Sequence, residues 1–110
     1  MGVTIEVKID NTNTLLEALP DVKNRALMRC GAVVENYAKR TVPVDTGRLR
    51  NSLHHEMESE DTVAIGTDVE YGKYVELGTS RQRSKPYLKP AVADHVAEYQ
   101  KIIESEFRKG

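Results

Sequence analysis

Pro43 divides this chain. A helical pattern runs up to it, and alternating, strand-like patterns follow it. Proline lacks a backbone N–H and its ring clashes with the preceding turn, so a helix must end here. Thr41 and Val42 are β-branched, and the proline pushes Val42 toward extended geometry. Asp45-Thr46-Gly47 then brings turn chemistry: short side-chain acceptors and one residue free to take positive φ. Asp45 or Thr46 is placed to cap a short helical turn through Arg48-Leu49-Arg50. Residues 42–53 therefore read as a structured corner between two halves.

Before the corner, Val3, Ile5, Val7 and Ile9 alternate with Thr4, Glu6, Lys8 and Asp10, which predicts a half-buried strand. Thr14-Leu15-Leu16-Glu17 matches a capping box and opens a short helical turn that Pro20 stops or kinks. Pro20 suits the first position of the next helix, with Asp21 near its positive end. From there to Arg40 an apolar stripe runs through Leu27, Cys30, Val34 and Tyr37, at helical spacing. Gly31 costs this helix about 1 kcal/mol relative to alanine. The expected return is close approach of another backbone. Cys30 lies on the stripe and reads as a small buried hydrophobe.

After the corner, Leu53, His55 and Met57 alternate with His54, Glu56 and Glu58. Ser59-Glu60-Asp61 turns the chain, and Val63, Ile65 and Thr67 make a second alternating run, so the two form a hairpin. Gly66 is expected to weaken or bulge this strand. Tyr71, Tyr74 and Val75 have helical spacing, with Gly78 as terminator. Residues 79–85, Thr-Ser-Arg-Gln-Arg-Ser-Lys, are polar and without periodicity and read as a mobile loop. A final helix is expected from Pro90, with Val92, Val96, Tyr99 and Ile103 as its seam and Ile102 and Phe107 beside it.

Strands bracketed by helices predict an α+β fold: a small antiparallel sheet, a long helix before it and a C-terminal helix packed on one face. The 110 residues suffice for a single domain, 1–110, and not for two. Aromatic residues are only 5% and tryptophan is absent, so the core is thin for the length and leaves burial for other subunits to supply. A formal charge of −1 argues against a general nucleic-acid binder. A single cysteine cannot close an internal disulfide, which fits a reducing compartment. No apolar run approaches the roughly 20 residues of a membrane span. The first residues lack the pattern of a signal peptide, and Glu6 stands where a myristoylation motif needs Ser or Thr.

Asp45-Thr46-Gly47 is the sharpest enzymatic candidate, because aspartic proteases use this triplet to share a proton between two carboxylates. A small one would draw the second carboxylate from an identical subunit. The surroundings disagree. A long helix and Pro43 precede the triplet where an apolar strand should, and Arg48 and Arg50 would hold Asp45 ionised. His54, His55 and His95 with Cys30 lack the spacing of a metal site, and adjacent strand residues point to opposite faces. Arg81, Arg83 and Lys85, joined by Arg48 and Arg50, make a basic region that is either a solvated loop or a contact for an acidic partner or phosphate. No phosphate-cradling glycine loop is present, and no cofactor is implied.

Four separated motifs carry more than any one of them. Val-Pro-Val-Asp-Thr-Gly-Arg-Leu-Arg-Asn-Ser-Leu at 42–53 is followed by Ile-Gly-Thr at 65–67. Then come Tyr-Gly-Lys-Tyr-Val-Glu-Leu-Gly-Thr at 71–79 and Pro-Tyr-Leu-Lys-Pro-Ala at 86–91. In this order and spacing they resemble the tail-completion or head–tail joining proteins of tailed bacteriophages, the gene product ten type of lambdoid phages. The resemblance covers residues 26–96. The family commonly has Phe where this chain has Leu77 and Tyr87, and the N-terminal strand is not part of the likeness.

The resemblance implies a non-enzymatic structural protein, made in the bacterial cytoplasm and built into the virion. It implies a ring former, hexameric, between the capsid connector and the tail tube, with no membrane and no specific nucleic acid among its partners. It brings no catalytic residues. We expect assembly contacts at Asp45, Thr46, Gly47, Arg48 and Arg50 in the corner and at Tyr71, Tyr74, Glu76, Gly78 and Thr79 in the third motif, with Arg81 and Arg83 toward the partner. The corner and basic loop are then loose in the free protein and ordered in the ring. The Asp-Thr-Gly turn would need Gly47 for backbone shape. A homodimeric aspartic protease and a small adaptor for nucleic acid or a host partner stay as alternatives.

Overall fold

The computed structural model describes residues 3–8, 20–42, 47–60 and 62–109. In chain order they form strand β1 (Val3–Lys8), helix α1 (Pro20–Thr41), helix α2 (Gly47–Ser52) and strands β2 (His54–Ser59) and β3 (Thr62–Thr67). Helices α3 (Gly72–Leu77), α4 (Lys89–Ala93) and α5 (Val96–Lys109) follow. The α+β reading holds. The capping box at Thr14 and Asp45 and Thr46 of the corner lie outside the described residues.

The expected hairpin forms, and β1 joins it. The sheet is antiparallel in the order β1-β3-β2, so β3 is central and all six of its residues are buried. The register sets Ile65 between Ile5 and His55, and Val63 between Val7 and Met57. Gly66 does not bulge its strand: it pairs with both Thr4 and His54. The irregularity falls instead between Met57 and Ser59 on β2.

Helix α1 is the spine of the core. Leu27, Cys30, Val34 and Ala38 are wholly buried. Asp21 in the first turn and Lys39 and Arg40 in the last oppose the partial charges of the helix ends. The helix stops short of Pro43. Its last bonds are Val42 N–H to Ala38 O (2.9 Å) and the Thr41 hydroxyl to Tyr37 O (2.7 Å). Burial pushes the Cys30 thiol up to about 11, with Glu98 adding to the rise and Arg29 opposing it, so the sulfur stays a protonated core atom.

Gly31 makes its close approach to side chains of the sheet, not to another backbone. A Cβ there would lie 2.8 Å from His55 Cδ2 and 2.9 Å from Val63 Cγ2. One turn on, Glu35 Oε1 accepts from His55 Nδ1–H at 2.8 Å, and one turn further Lys39 Nζ lies 3.1 Å from Glu35 Oε2. Burial pushes the Glu35 carboxyl up, but the hydrogen bonds from His55 and Lys39 outweigh it and leave it below its ordinary value.

The last helical segment is two helices where the pattern predicts one. Continuation would need His95 N–H to reach Ala91 O. The Tyr99 hydroxyl takes that carbonyl at 2.5 Å, and His95 N–H bonds Val92 O at 3.3 Å instead. The His95 ring stacks on Tyr37 with centroids 3.6 Å apart, and Tyr37 donates its hydroxyl to Glu98 Oε1 at 2.5 Å. The break shifts the phase of α5. Val96, expected on the seam, is 48% exposed, while Tyr99, Ile102 and Glu106 are buried. Glu106 meets Arg29 of α1 at 3.4 Å.

Two outcomes follow from this packing. Overpacking costs about 1–3 kcal/mol and replacing a helical glycine returns about 1, so Gly31→Ala lowers stability by about 1 kcal/mol in urea denaturation; a gain would contradict the contact. The Glu35 contribution is present above its ordinary pKa of 4.5 and is lost as pH falls through the lowered native value. Glu35→Gln therefore flattens the acid limb of the stability profile, and an unchanged limb would refute the pairing.

Candidate functional site

The described part of the first long motif, 47–53, and the third motif, 71–79, come together at one end of the sheet. Antiparallel pairing puts the start of β2 beside the end of β3, so α2 and α3 are neighbours. Gly72 opens α3 under tight constraint. A Cβ there would lie 2.6 Å from Thr67 Cγ2, 3.0 Å from the Tyr87 hydroxyl and 3.2 Å from Leu49 Cδ1. Thr67 ties the region together. Its hydroxyl bonds that of Ser52 and accepts Val69 N–H at 3.0 Å.

Glu76 holds the segment that follows. It is only 8% exposed, and its carboxylate accepts three successive backbone N–H groups. Oε1 takes those of Tyr87 (2.9 Å) and Leu88 (2.8 Å), and Oε2 takes that of Lys89 (3.1 Å). These donors open α4, whose next residue, Pro90, has no N–H to offer. A buried carboxylate thus meets the positive end of a helix and its otherwise orphaned donors. Beside it, the Tyr87 hydroxyl donates to Gly72 O at 2.8 Å. Burial, and then the Glu76 carboxylate, push the Tyr87 phenol well above its ordinary value, which keeps it a donor.

The 79–85 segment, expected as a mobile loop, has neither helix nor strand. It begins at Gly78, whose φ is +79° and whose Cβ would lie 2.8 Å from Ser84 N, so a side chain is excluded twice over. Thr79 N–H bonds Gln82 O (2.9 Å), Thr79 Oγ1 accepts from Arg81 and Gln82, and Lys85 N–H bonds Val75 O (2.8 Å).

The predicted contact residues fall into three groups. Gly47, Arg48, Arg50, Tyr74, Thr79, Arg81 and Arg83 are exposed, and Tyr71 and Gly78 are half-buried. Glu76 is spent on the interior. Gly47 does not need positive φ, since Gly78 alone has it among the described residues, and a Cβ at Gly47 would meet nothing within 4 Å. Sequence reasoning missed Leu77, which is 72% exposed and stands one turn from the 48%-exposed Tyr74. The signal was present: both are large apolar residues at i and i+3 on a six-residue helix.

The histidines are dispersed. His55 pairs with Glu35, His95 stacks on Tyr37, and His54 Nδ1 lies 3.1 Å from Ser52 O. Among the described residues no cluster of three or more His, Cys, Asp or Glu is arranged to hold a metal ion, and no helix is long and apolar enough to cross a membrane.

These elements define a small α+β domain that turns its buried polar groups inward and presents an apolar and basic surface at one end. The chain belongs to the phage family described as "Bacteriophage HK97-gp10, putative tail-component", which matches residues 8–78. It is accordingly a structural component associated with a phage tail. The match includes the end of β1, which lay outside the resemblance read from the motifs, and stops at Gly78. Comparison with curated proteins and with solved structures found no significant match.

Glu76→Ala leaves three N–H groups without their acceptor, two of them on buried residues. Hydrogen bonds to a charged group contribute about 1.5–3 kcal/mol, so we expect a loss of about 3 kcal/mol in denaturant unfolding. The Tyr87 and Leu88 amides should also lose protection in hydrogen exchange. Protection at the wild-type level would contradict the clamp.

Proposed function

We propose that this tail component is a non-enzymatic, ring-forming tail-completion or head–tail joining protein. It is made in the host cytoplasm and assembles as a homo-hexamer between the capsid connector and the tail tube. The observation that carries the reading is the surface beside α3. Tyr74 and Leu77 expose apolar area within the matched motif, next to exposed Arg81 and Arg83, on a scaffold anchored by Glu76. Apolar side chains ringed by charge are what an assembling surface needs. The corner residues Gly47, Arg48 and Arg50 stand on the neighbouring helix, and Asp45 and Thr46 precede them in sequence. In this reading the 79–85 loop gives up its remaining motion when a neighbour docks.

Light scattering over a concentration series tests it. The expected result is a hexamer, or a monomer that becomes one as concentration rises. A concentration-independent dimer would contradict the ring and return attention to Asp45. Gly47→Val should block assembly while leaving the monomer fold intact, because the space around Gly47 is open; a variant that assembles normally would remove the corner from the interface.

A further inference from the structure

The two ends of β3 carry opposite charge. At its exit, α3 and the 79–85 segment present exposed Arg81, Arg83 and Lys85, which outnumber the exposed Asp68 and Glu70. At its entry stands the β2–β3 hairpin, with exposed Glu56, Glu58 and Glu60. The register sets Glu6 and Glu56 on either side of Ala64, two residues in from the start of β3, and sets Lys8 beside Thr62. The five rises of about 3.3 Å from Thr62 to Thr67 hold the two ends roughly 17 Å apart. The sheet fixes their relative direction.

We propose that the basic end of one subunit docks on the acidic β2–β3 hairpin of a second copy of this chain. This rests on the ring reading above and assigns its interface. Charge complementarity chooses the occupant, since one chain supplies both signs and exposes them at opposite ends of one strand. The same geometry excludes contacts between like ends. A twofold contact between basic ends would set Arg81 and Arg83 against themselves, and one between hairpins would do the same to the glutamates. Unlike ends attract, and they can meet either reciprocally in a closed twofold pair or head to tail; the ring reading selects the head-to-tail contact, which leaves each subunit one free end and closes when its rotation permits. Tyr74 and Leu77 stand beside the basic residues as the apolar centre of the contact, and the charges form its rim.

Charge reversal tests the pairing by sedimentation velocity at low salt. Arg81→Glu with Arg83→Glu makes both ends acidic, and Glu56→Lys with Glu60→Lys makes both ends basic. Each double variant alone should need about a hundredfold more protein to assemble. An equimolar mixture should assemble near the wild-type concentration, since each variant now complements the other. All four substitutions in one chain should restore self-assembly, which also shows that the altered chains fold. Either double variant assembling like wild type would overturn the pairing while leaving the ring standing. Loss in the arginine variant without loss in the glutamate variant would overturn it too, and would direct the basic end to a different acidic partner. A wild-type chain that stays monomeric throughout would remove both the ring and this interface.

Discussion

The contact at Gly31 sets how close the long helix comes to the sheet. Without a side chain there, α1 settles against His55 and Val63 until their atoms occupy the place of a Cβ. His55 is then held between the helix backbone and Glu35, a turn away. The opposite flank of α1 is covered by α5, where Cys30 approaches Tyr99 O, Tyr37 bonds Glu98, and Arg29 meets Glu106. A helix gripped from two sides gives a 110-residue chain a core despite few aromatic residues. It packs over β3, which is central because it pairs with both β1 and β2 and from whose ends the exposed segments project.

What α1 does for the core, Glu76 does for the exposed end. A carboxylate buried among backbone donors is costly to leave unpaired and strong when fully paired. Here it ties α3 to the start of α4 across the basic segment, so that segment is anchored at both ends. Tyr87 closes the same gap from the other side through Gly72. The result is an apolar and basic surface whose supports are buried polar bonds. That division of labour suits a tail component that presents this surface to neighbouring virion proteins.

Much of this was legible in residue spacing. The period of Leu27, Cys30 and Val34 marked α1, the alternation of Val3 to Ile9 marked β1, and Gly78 marked the end of α3 at the one described position of positive φ. Other features depend on distant partners, which spacing does not carry. Glu76 looks like any exposed helical glutamate until the chain returns eleven residues later to offer it donors. The break at 94–95 depends on Tyr99 taking a carbonyl eight residues back, and hydrophobic periodicity has no symbol for that bond. Glu106 on a buried seam is invisible to the same periodicity, because its cover is a cation on another helix. Gly31 and Gly47 were both read as backbone requirements. One proved to be a slot for side chains and the other is open to solvent.

In the proposed ring, this tail component meets its neighbours through unlike ends of its own fold. Electron-microscopic class averages of the concentrated wild-type protein test it most directly. The expected particles are closed rings in which every subunit faces the same way round. Particles of twofold symmetry, or single subunits at every concentration, would contradict that arrangement.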